Sequence, residues 1–440
     1  MTSLSPVQRG RETALAVAIG VATFSTSLIR VLLTNPQTIT DTVWAEDGLF
    51  PLCLVDFPLL SCTFEPYAGY LNLAPRVLAI PVAILPLEFW PVAIACISSA
   101  ALAAIATFVY VLLRQRSATI PTAIFCALVP VLLPTVGFEV IATNASISWA
   151  LTYAGAIALV TPWTSKVGTY LTACVVFLAS SSTPLALALI PLAIINFYRQ
   201  SGLNKGPKFI IGALMTGLAL QLLTILRARQ ISTADRDISF SNEFGEKYLS
   251  GFRTVLLDIA GISPSSGNSS FGSGTEVLFL VLLVAIVGAL IYLVRRRNFW
   301  LHASGLLGLT ALLILCFVGF TSYANNRYLL LPTALLAASL TLTLNSLRGL
   351  ARSILSIGVP ILLLMLWLPQ FPASGFRTGN SNGWAKELSN LSNECAGDTQ
   401  KTVSVELTPY WFVGYSYSGA GPIIECPTLR QHSNSGNSIS

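Results

Sequence analysis

The chain has 440 residues, of which 54% are hydrophobic and only 10% are charged, and its formal net charge is +6. A soluble chain of this length carries about a quarter of its residues as charged side chains. The composition therefore excludes an ordinary soluble protein and indicates an integral membrane protein. The small positive charge gives no case for a nucleic-acid partner and has to be interpreted loop by loop.

Apolar stretches of roughly 17–25 residues recur along the chain, and each is long enough to cross a bilayer as a helix. The stretches are continuous rather than alternating, which favours helices over a β-barrel. We predict an all-α polytopic membrane protein of about eleven spans, the first of them uncleaved. The predicted spans lie near residues 13–33, 89–113, 119–136, 145–161, 167–180, 184–198, 208–226, 276–294, 299–320, 328–346 and 353–369.

The distribution of basic residues orients these spans, because cytoplasmic loops are enriched in Lys and Arg. With the N-terminus inside, the inner segments hold 13 basic residues and one acid, Glu12, whereas the outer segments hold 12 basic and 18 acidic residues. Arg295, Arg296 and Arg297 form the strongest single anchor. We therefore predict a cytoplasmic N-terminus and an extracytoplasmic C-terminus in the cell (inner or plasma) membrane.

The segment from Tyr67 to Pro86 is apolar enough to be read as a further span. Counting it would place Arg114, Arg295–Arg297 and Arg348 outside. It also contains Arg76 and three prolines. We interpret it instead as a juxtamembrane helix that lies on, or dips into, the outer interface.

Cysteine positions agree with this orientation. Cys53 and Cys62 lie in the first outer loop, and Cys395 and Cys426 lie in the C-terminal tail. Two local pairs on the outer side are typical of disulfides in an oxidising compartment. A metal site is the alternative for such thiols, but no histidine or second cysteine pair lies nearby to complete one. We predict two disulfides.

The predicted organisation is a membrane module over residues 1–369 and a small extracytoplasmic cap over residues 370–440. Two large outer loops, residues 34–88 and 227–275, belong to the module. The cap contains a strand-like segment from Thr402 to Leu407 and several aromatic residues, which indicates a folded unit.

Candidate chemistry concentrates in the first outer loop, where Glu46 and Asp47 lie beside Trp44 and Gly48, shortly after the first span. A partly desolvated, oriented carboxylate can act as a general base. The alternative is a solvated turn in which Asp47 and Gly48 only supply turn chemistry.

Arginine supplies the second set of candidates. Arg327 and Tyr328 precede Pro332 at the outer start of the tenth span, and Arg76 lies on the juxtamembrane helix. A guanidinium group at this depth can bind a lipid phosphate. Interfacial anchoring of the helix is the alternative for each.

Weaker signals come from Glu139 and Asn144 in a short outer loop. Tyr67 and Tyr70 could stack on a sugar ring or simply mark the membrane interface. Phosphate-binding glycine loops, zinc-protease signatures, nucleophile elbows and acidic nucleotide-sugar motifs are absent from the sequence. Few charged residues lie mid-span, where an ion-coupled carrier usually keeps some.

Taken together, the Glu46-Asp47 loop, the proline-bearing Tyr67–Pro86 segment and the Arg327-Tyr328 element followed by Pro332 resemble the GT-C class of membrane glycosyltransferases. The layout covers most of the chain. The chain lacks the Asp-Glu order of the protein mannosyltransferases and the Lys-Pro-Pro of the aminoarabinose-transferase branch. It looks closest to bacterial proteins with a Glu-Asp-Gly first loop and a Gly-Tyr-Leu…Pro-Arg helix, as in Gly69-Tyr70-Leu71 and Pro75-Arg76. The resemblance implies a polyprenyl-phosphate sugar as donor and an envelope glycan, lipid or protein as acceptor.

It further implies that Asp47, or otherwise Glu46, deprotonates the acceptor hydroxyl, which attacks the anomeric carbon with inversion. Arg327 and Arg76, with Tyr328, would hold the leaving phosphate, and Trp44, Tyr67, Tyr70, Glu139 and Asn144 would line the substrate site. No metal or other cofactor is expected, because a monophosphate leaving group carries less charge than a diphosphate.

Two other functions fit part of the pattern. A transporter or flippase of lipid-linked glycans would explain the helices and interfacial arginines, although carriers are usually built from matching halves and none are visible here. A scaffold of an envelope assembly would tolerate loss of both carboxylates.

Overall fold

The structure is a computed structural model that describes residues 6–34, 41–67, 69–134, 141–161, 165–200, 206–231, 244–261, 273–320, 326–371, 383–396, 402–405, 407 and 423–433. These residues are almost entirely helical. The helices are α1 (Pro6–Thr34), α2 (Ala45–Asp56), α3 (Leu59–Phe64), α4 (Leu73–Ala83), α5 (Trp90–Gln115), α6 (Ile120–Leu132), α7 (Ile147–Val160), α8 (Lys166–Ser182), α9 (Ile190–Gln200), α10 (Gly206–Ile231), α11 (Phe244–Ile259), α12 (Ser273–Val294), α13 (Phe299–Phe320), α14 (Leu330–Thr343), α15 (Gly349–Trp367), α16 (Trp384–Cys395) and α17 (Cys426–Ser433).

A helix occupies each of the predicted spans. Within the described ranges, five helical stretches are both long and apolar enough to cross a membrane: Val7–Leu33, Leu87–Gln115, Lys208–Ala228, Phe299–Val318 and Gly349–Gln370. The other apolar helices are shorter, from 10 to 17 residues. The structure therefore has the helices of an all-α membrane protein, and the number that cross the bilayer stays a prediction.

A buried arginine joins α1 to the end of α6. The Arg30 Nη1 atom donates hydrogen bonds to the carbonyls of Val131 (2.7 Å) and Leu133 (2.9 Å), and its guanidinium lies 4.1 Å from the centre of the Phe371 ring. The last carbonyls of a helix have no partner within the helix. Arg30 supplies their donors, and its positive charge is also favourable at the negative end of the helix dipole.

The segment that leads into α4 is held inside the bundle by side chains of two long helices. Gln221 on α10 accepts from the Leu71 N–H (3.0 Å) and donates to the Leu71 carbonyl (2.6 Å). Ser182 at the end of α8 accepts from the Ala74 N–H (2.8 Å). These bonds satisfy backbone groups that would otherwise be buried without partners.

A small C-terminal unit packs against the first outer loop. It consists of α16, α17 and an antiparallel pair of strands, β1 (Thr402–Ser404) and β2 (Ile423–Glu425). The Trp384 ring stacks on Trp90 at 6.1 Å, and its Nε1 donates to the Leu87 carbonyl (2.7 Å). This unit is the described part of the cap, residues 370–440.

The cap contacts the chain on both sides of α4. Val43 and Leu52, before α4, share one buried apolar cluster with Leu87, Trp90 and the cap. In addition, Asp41 Oδ1 accepts from the Ala385 N–H (2.7 Å). The cap therefore contacts the chain both before and after α4, which has 11 residues. Both ends of α4 thus lie on the side of the bundle that carries the cap.

The predicted outer segment 227–275 contains the end of α10 and the helix α11. Phe252 and Val255 of α11 are fully buried, so apolar packing holds this helix against the bundle. The alternative interpretation of Asp47-Gly48 as a solvated turn fails, because both residues belong to α2 and Asp47 is buried.

Candidate functional site

Glu46 and Asp47 lie in the first turn of α2, which begins directly after Trp44. The first N–H groups of a helix lack partners within it, and the helix dipole favours negative charge there. This placement explains why two adjacent acids begin the helix. Trp44, Glu46 and Asp47 are all buried, and only 1% of the Asp47 surface is exposed.

Asp47 is tied to a distant part of the chain. Its Oδ1 atom accepts a hydrogen bond from the backbone N–H of Ala145 (2.8 Å), just before α7 begins. A charge-assisted bond of this kind is stronger than one between neutral groups. It fixes the orientation of the carboxylate against the start of α7.

Glu46 is held within its own loop. The Tyr67 hydroxyl donates to Glu46 Oε1 at 2.6 Å. The Tyr67 ring meets Phe50 and Tyr70 edge-on, with centroid distances of 5.4 and 6.1 Å. The Tyr67 and Tyr70 backbones are paired, and Gly69 lets the chain reverse between them with a φ of 84°. Tyr67 therefore acts first as a support for Glu46.

Gly48 lies where α2 meets the cap. A β-carbon at this position would lie 2.5 Å from Leu407 Cδ2 and 2.7 Å from Val43 Cγ1. Distances that short do not occur between packed carbon atoms, so a glycine is required for this close approach. Each residue of the Glu-Asp-Gly sequence thus contacts a different part of the molecule.

Asn144 is the neighbour of Ala145 and is 99% buried, with an exposed fraction of 1%. Neither its Oδ1 nor its Nδ2 has a hydrogen-bond partner within the described part of the chain. Buried amides are normally bonded, and one left open costs free energy unless a ligand or water completes it. Asn144 is therefore suited to bind a polar group of a ligand beside Asp47.

A small cavity lies under the segment that precedes α7. Its volume is about 20 Å³, which is room for roughly one water molecule. Its lining includes the hydroxyl-bearing residues Ser98, Thr143 and Ser146, together with Leu330 at the start of α14. The chain around residues 141–147 therefore contacts the start of α14 as well as Asp47.

Tyr328 approaches the same end of α7. Its ring packs edge-on against Trp149 with a centroid distance of 5.4 Å. The backbone of Arg327 belongs to a 3-10 turn, Asn326–Leu329, and its side chain lies outside the described residues. Glu139 also lies outside them. Of the predicted site, the structure brings Asp47, Asn144 and Tyr328 to the first turns of α7.

Arg76 lies on α4 and contacts residues of the chain segment that precedes this helix. Its exposed fraction is 5%, its Nη1 donates to the Cys62 carbonyl, and its guanidinium lies 4.8 Å from the Phe50 ring centre. Its Nε has no partner among the described residues. Burial lowers the pKa of Arg76 to about 10, and the nearby Glu65 carboxylate opposes this shift.

Both predicted disulfides are present. Cys53–Cys62 joins α2 to α3 with a Cα–Cα distance of 5.8 Å, and Cys395–Cys426 joins α16 to α17 at 5.4 Å. The first one closes the loop whose carbonyl binds Arg76. No group of three or more His, Cys, Asp or Glu side chains that could hold a metal ion occurs within the ranges the structure describes.

Three supporting residues were not singled out from the sequence. Gln221 and Arg30 are polar residues within apolar helices, a signal that marks buried functional or structural groups in membrane proteins. Glu65 carried no such signal, because an acid in a predicted outer loop is ordinary.

Comparison of the chain with protein-family models and with characterised proteins found no match.

We predict that Gly48→Ala destabilises the protein by about 1–3 kcal/mol through overpacking against Leu407. Helix propensity alone predicts the opposite, a gain of about 1 kcal/mol. Thermal unfolding in detergent distinguishes the two. Gly212→Ala on α10, where a β-carbon meets nothing within 4 Å, is the matched control. Adding Leu407→Ala should recover part of the loss in the Gly48→Ala variant, and a stabilised Gly48→Ala protein would contradict the packing argument.

Tyr67→Phe should lower stability by about 1.5–3 kcal/mol, because it removes a hydrogen bond to a buried carboxylate. Glu46→Gln in the Tyr67→Phe background should cost less than Glu46→Gln alone, because the two groups share one interaction. Tyr170→Phe, at an exposed tyrosine of α8, controls for loss of a hydroxyl. Strictly additive effects of the two substitutions would show that the bond contributes nothing.

Proposed function

We propose that this protein is a membrane glycosyltransferase of the GT-C kind. It moves a sugar from a polyprenyl-phosphate donor to a glycan, lipid or protein acceptor of the cell envelope, as in polysaccharide biosynthesis. The bundle has about eleven spans in the cell membrane, with a cytoplasmic N-terminus. The first outer loop and the cap lie on the extracytoplasmic side, where the reaction takes place.

The observation that carries the proposal is the buried, oriented carboxylate of Asp47. A general base has to be held in one position, and Asp47 is fixed by the Ala145 N–H. Asn144 lies next to this bond with an open amide, and Tyr328 packs one helical turn further along α7. Three separate regions of the chain thus supply polar groups to one end of one helix, which is the arrangement expected of an active site.

The roles follow from these contacts. Asp47 takes the proton of the acceptor hydroxyl while the hydroxyl oxygen bonds to the anomeric carbon from the face opposite the phosphate. The bond from that carbon to the phosphate oxygen breaks, and the lipid phosphate leaves with the electron pair. Arg76 and Arg327 stabilise the phosphate charge. Glu46, held by Tyr67, supports the geometry, and Trp44, Tyr70 and Asn144 line the substrate site.

Substrates need space that the present conformation does not provide. Asp47 has an exposed fraction of 1%, and the cavity near Asn144 admits about one water molecule. Donor binding must therefore separate the first loop from the start of α7 or from α14.

Two features support the proposed topology. The disulfides belong to the first loop and to the cap, as expected for segments in an oxidising compartment. The cap also packs on both flanks of α4, so these segments share one side of the bundle. Ten spans between the first loop and the cap would return the chain to that side.

We expect Asp47→Asn to lower turnover at least 100-fold, because the base is lost. The protein should stay folded, since the amide oxygen of asparagine can still accept from Ala145. Purified protein is reconstituted with a panel of polyprenyl-phosphate sugars, and release of polyprenyl phosphate is measured. Glu88→Gln, at an exposed acid, is the control for charge.

Wild-type turnover in Asp47→Asn would refute the role of Asp47. Translocation of the lipid-linked sugar without phosphate release would establish the flippase alternative instead.

The topology predicts which introduced cysteines react with a membrane-impermeant maleimide. In intact cells Glu88→Cys should be labelled from outside, because it lies beside the cap. Arg296→Cys, at the end of α12, should be labelled only after the membrane is permeabilised. Both positions are exposed, so accessibility does not confuse the result. Labelling of Arg296→Cys in intact cells would reverse the orientation.

A further inference from the structure

Arg76 is a buried cation whose bonding is incomplete. A guanidinium group has five N–H donors. Here Nη1 reaches the Cys62 carbonyl, the ring of Phe50 covers one face, and Nε has no partner within the described residues. Burying a charge is costly unless it is paired. The open donor and the buried positive charge together mark a place for an anion.

Glu65 is the acid whose charge acts on this cation, but the two side chains do not form an ion pair. Glu65 Oε2 lies 3.4 Å from Cys53 Sγ, on the disulfide loop whose Cys62 carbonyl binds Arg76. Glu65 and Arg76 are both described, and no nitrogen–oxygen distance between them is within 4.0 Å. The carboxylate therefore acts on the arginine through its charge, without a direct ion pair.

A second arginine, Arg227 on α10, also acts on this carboxylate through its charge. Arg227 is exposed and lies one to two turns beyond Gln221, which binds the backbone that leads into α4. Burial raises the pKa of Glu65, and the positive charges of Arg76 and Arg227 oppose that rise. Two cations therefore share one carboxylate that is itself poorly solvated.

We propose that Arg76 and Arg227 form a binding site for a phosphate monoester, and that Glu65 is its internal counter-ion, which becomes protonated when the anion binds. The inference rests on the proposed function for the identity of the natural ligand. The chemistry itself requires only a terminal phosphate group, whether that of a lipid headgroup or free phosphate.

The charge balance gives the expected behaviour. An ionised Glu65 repels an incoming phosphate, whereas a neutral Glu65 does not. Each phosphate bound above the pKa of Glu65 should then bring one proton from water to its carboxylate. Among the described residues, the charges that act on Glu65 are those of Arg76 on α4 and Arg227 on α10, and its Oε2 lies 3.4 Å from Cys53 Sγ on α2. Tyr67 and Tyr70 act on Arg76.

The test measures binding of two probes to the full-length protein in detergent by calorimetry: inorganic phosphate and farnesyl phosphate. Glu65→Gln should bind farnesyl phosphate about tenfold more tightly than the wild type at pH 8, because one like charge is removed. Arg227→Gln should bind it several-fold more weakly. Farnesol, which lacks the phosphate, should bind all variants equally.

The pH dependence separates Glu65 from the ligand. Phosphate monoesters themselves titrate near pH 6, which changes the Kd of every variant in the same way. We therefore divide the wild-type Kd by the Glu65→Gln Kd at each pH, so that the titration of the ligand cancels. This ratio should be largest at pH 8 and should fall toward one as the pH is lowered and Glu65 becomes protonated. The fall should begin at a pH above the ordinary glutamate pKa, because burial raises the pKa of Glu65. Calorimetry in buffers of different ionisation enthalpy should show proton uptake in the wild type and less in Glu65→Gln.

Glu88→Gln is the matched control, because it removes an exposed acid elsewhere in the outer loop. Equal affinities of Glu65→Gln and Glu88→Gln at every pH would overturn the proposal, as would failure of folded wild type and Glu65→Gln to bind either probe. Tighter binding of farnesyl phosphate than of phosphate identifies a lipid headgroup, and equal binding identifies free phosphate. If Glu65→Gln binds as expected but no sugar is transferred, the anion site stands and the glycosyltransferase fails.

Discussion

Where the chain leaves helical geometry inside a bundle surrounded by lipid, its backbone N–H and C=O groups have no water to bind. Protein side chains must then supply the hydrogen bonds of these groups. The described structure follows this constraint at three points where the chain leaves its helices. Arg30 binds the last carbonyls of α6, Gln221 binds Leu71, and Asp47 binds the Ala145 N–H ahead of α7. The positions of the helices α4 and α2 both depend on these bonds.

The same constraint separates structural polar groups from candidate ligand-binding groups. Gln221 has both its carbonyl oxygen and its amide nitrogen engaged by Leu71, and a second function is difficult to combine with that role. Asn144 and the Nε of Arg76, in contrast, are buried without partners among the described residues. Because such groups destabilise the fold unless something completes them, they are the positions at which a ligand gains most. Both lie in or beside the region where the carboxylate of Asp47 is fixed.

Much of the helical framework could be predicted from the sequence, since a long apolar run has few other stable forms in a membrane. The two disulfides were also predictable, because each pair is close in the chain. The start of α2 was not, since Asp-Gly is a strong local turn signal and only burial against the rest of the protein overrides it. Helix α11 was missed because its apolar residues are interrupted by charges. The role of Gly48 depends on Leu407, at the far end of the chain, and no local pattern reveals such a partner.

The Glu-Asp-Gly sequence therefore has structural as well as proposed catalytic roles, and the two are compatible. Glu46 is bound by Tyr67 of its own loop, Asp47 by the chain before α7, and Gly48 admits Leu407 of the cap. A reacting group gains from being held in place before the substrate arrives, because the entropy of alignment is then lost during folding. A carboxylate at a junction of three chain regions meets that condition. It also means that movement of the cap or of the α7 end would alter the position of Asp47, so opening for substrate and closure for reaction can be governed by the same contacts.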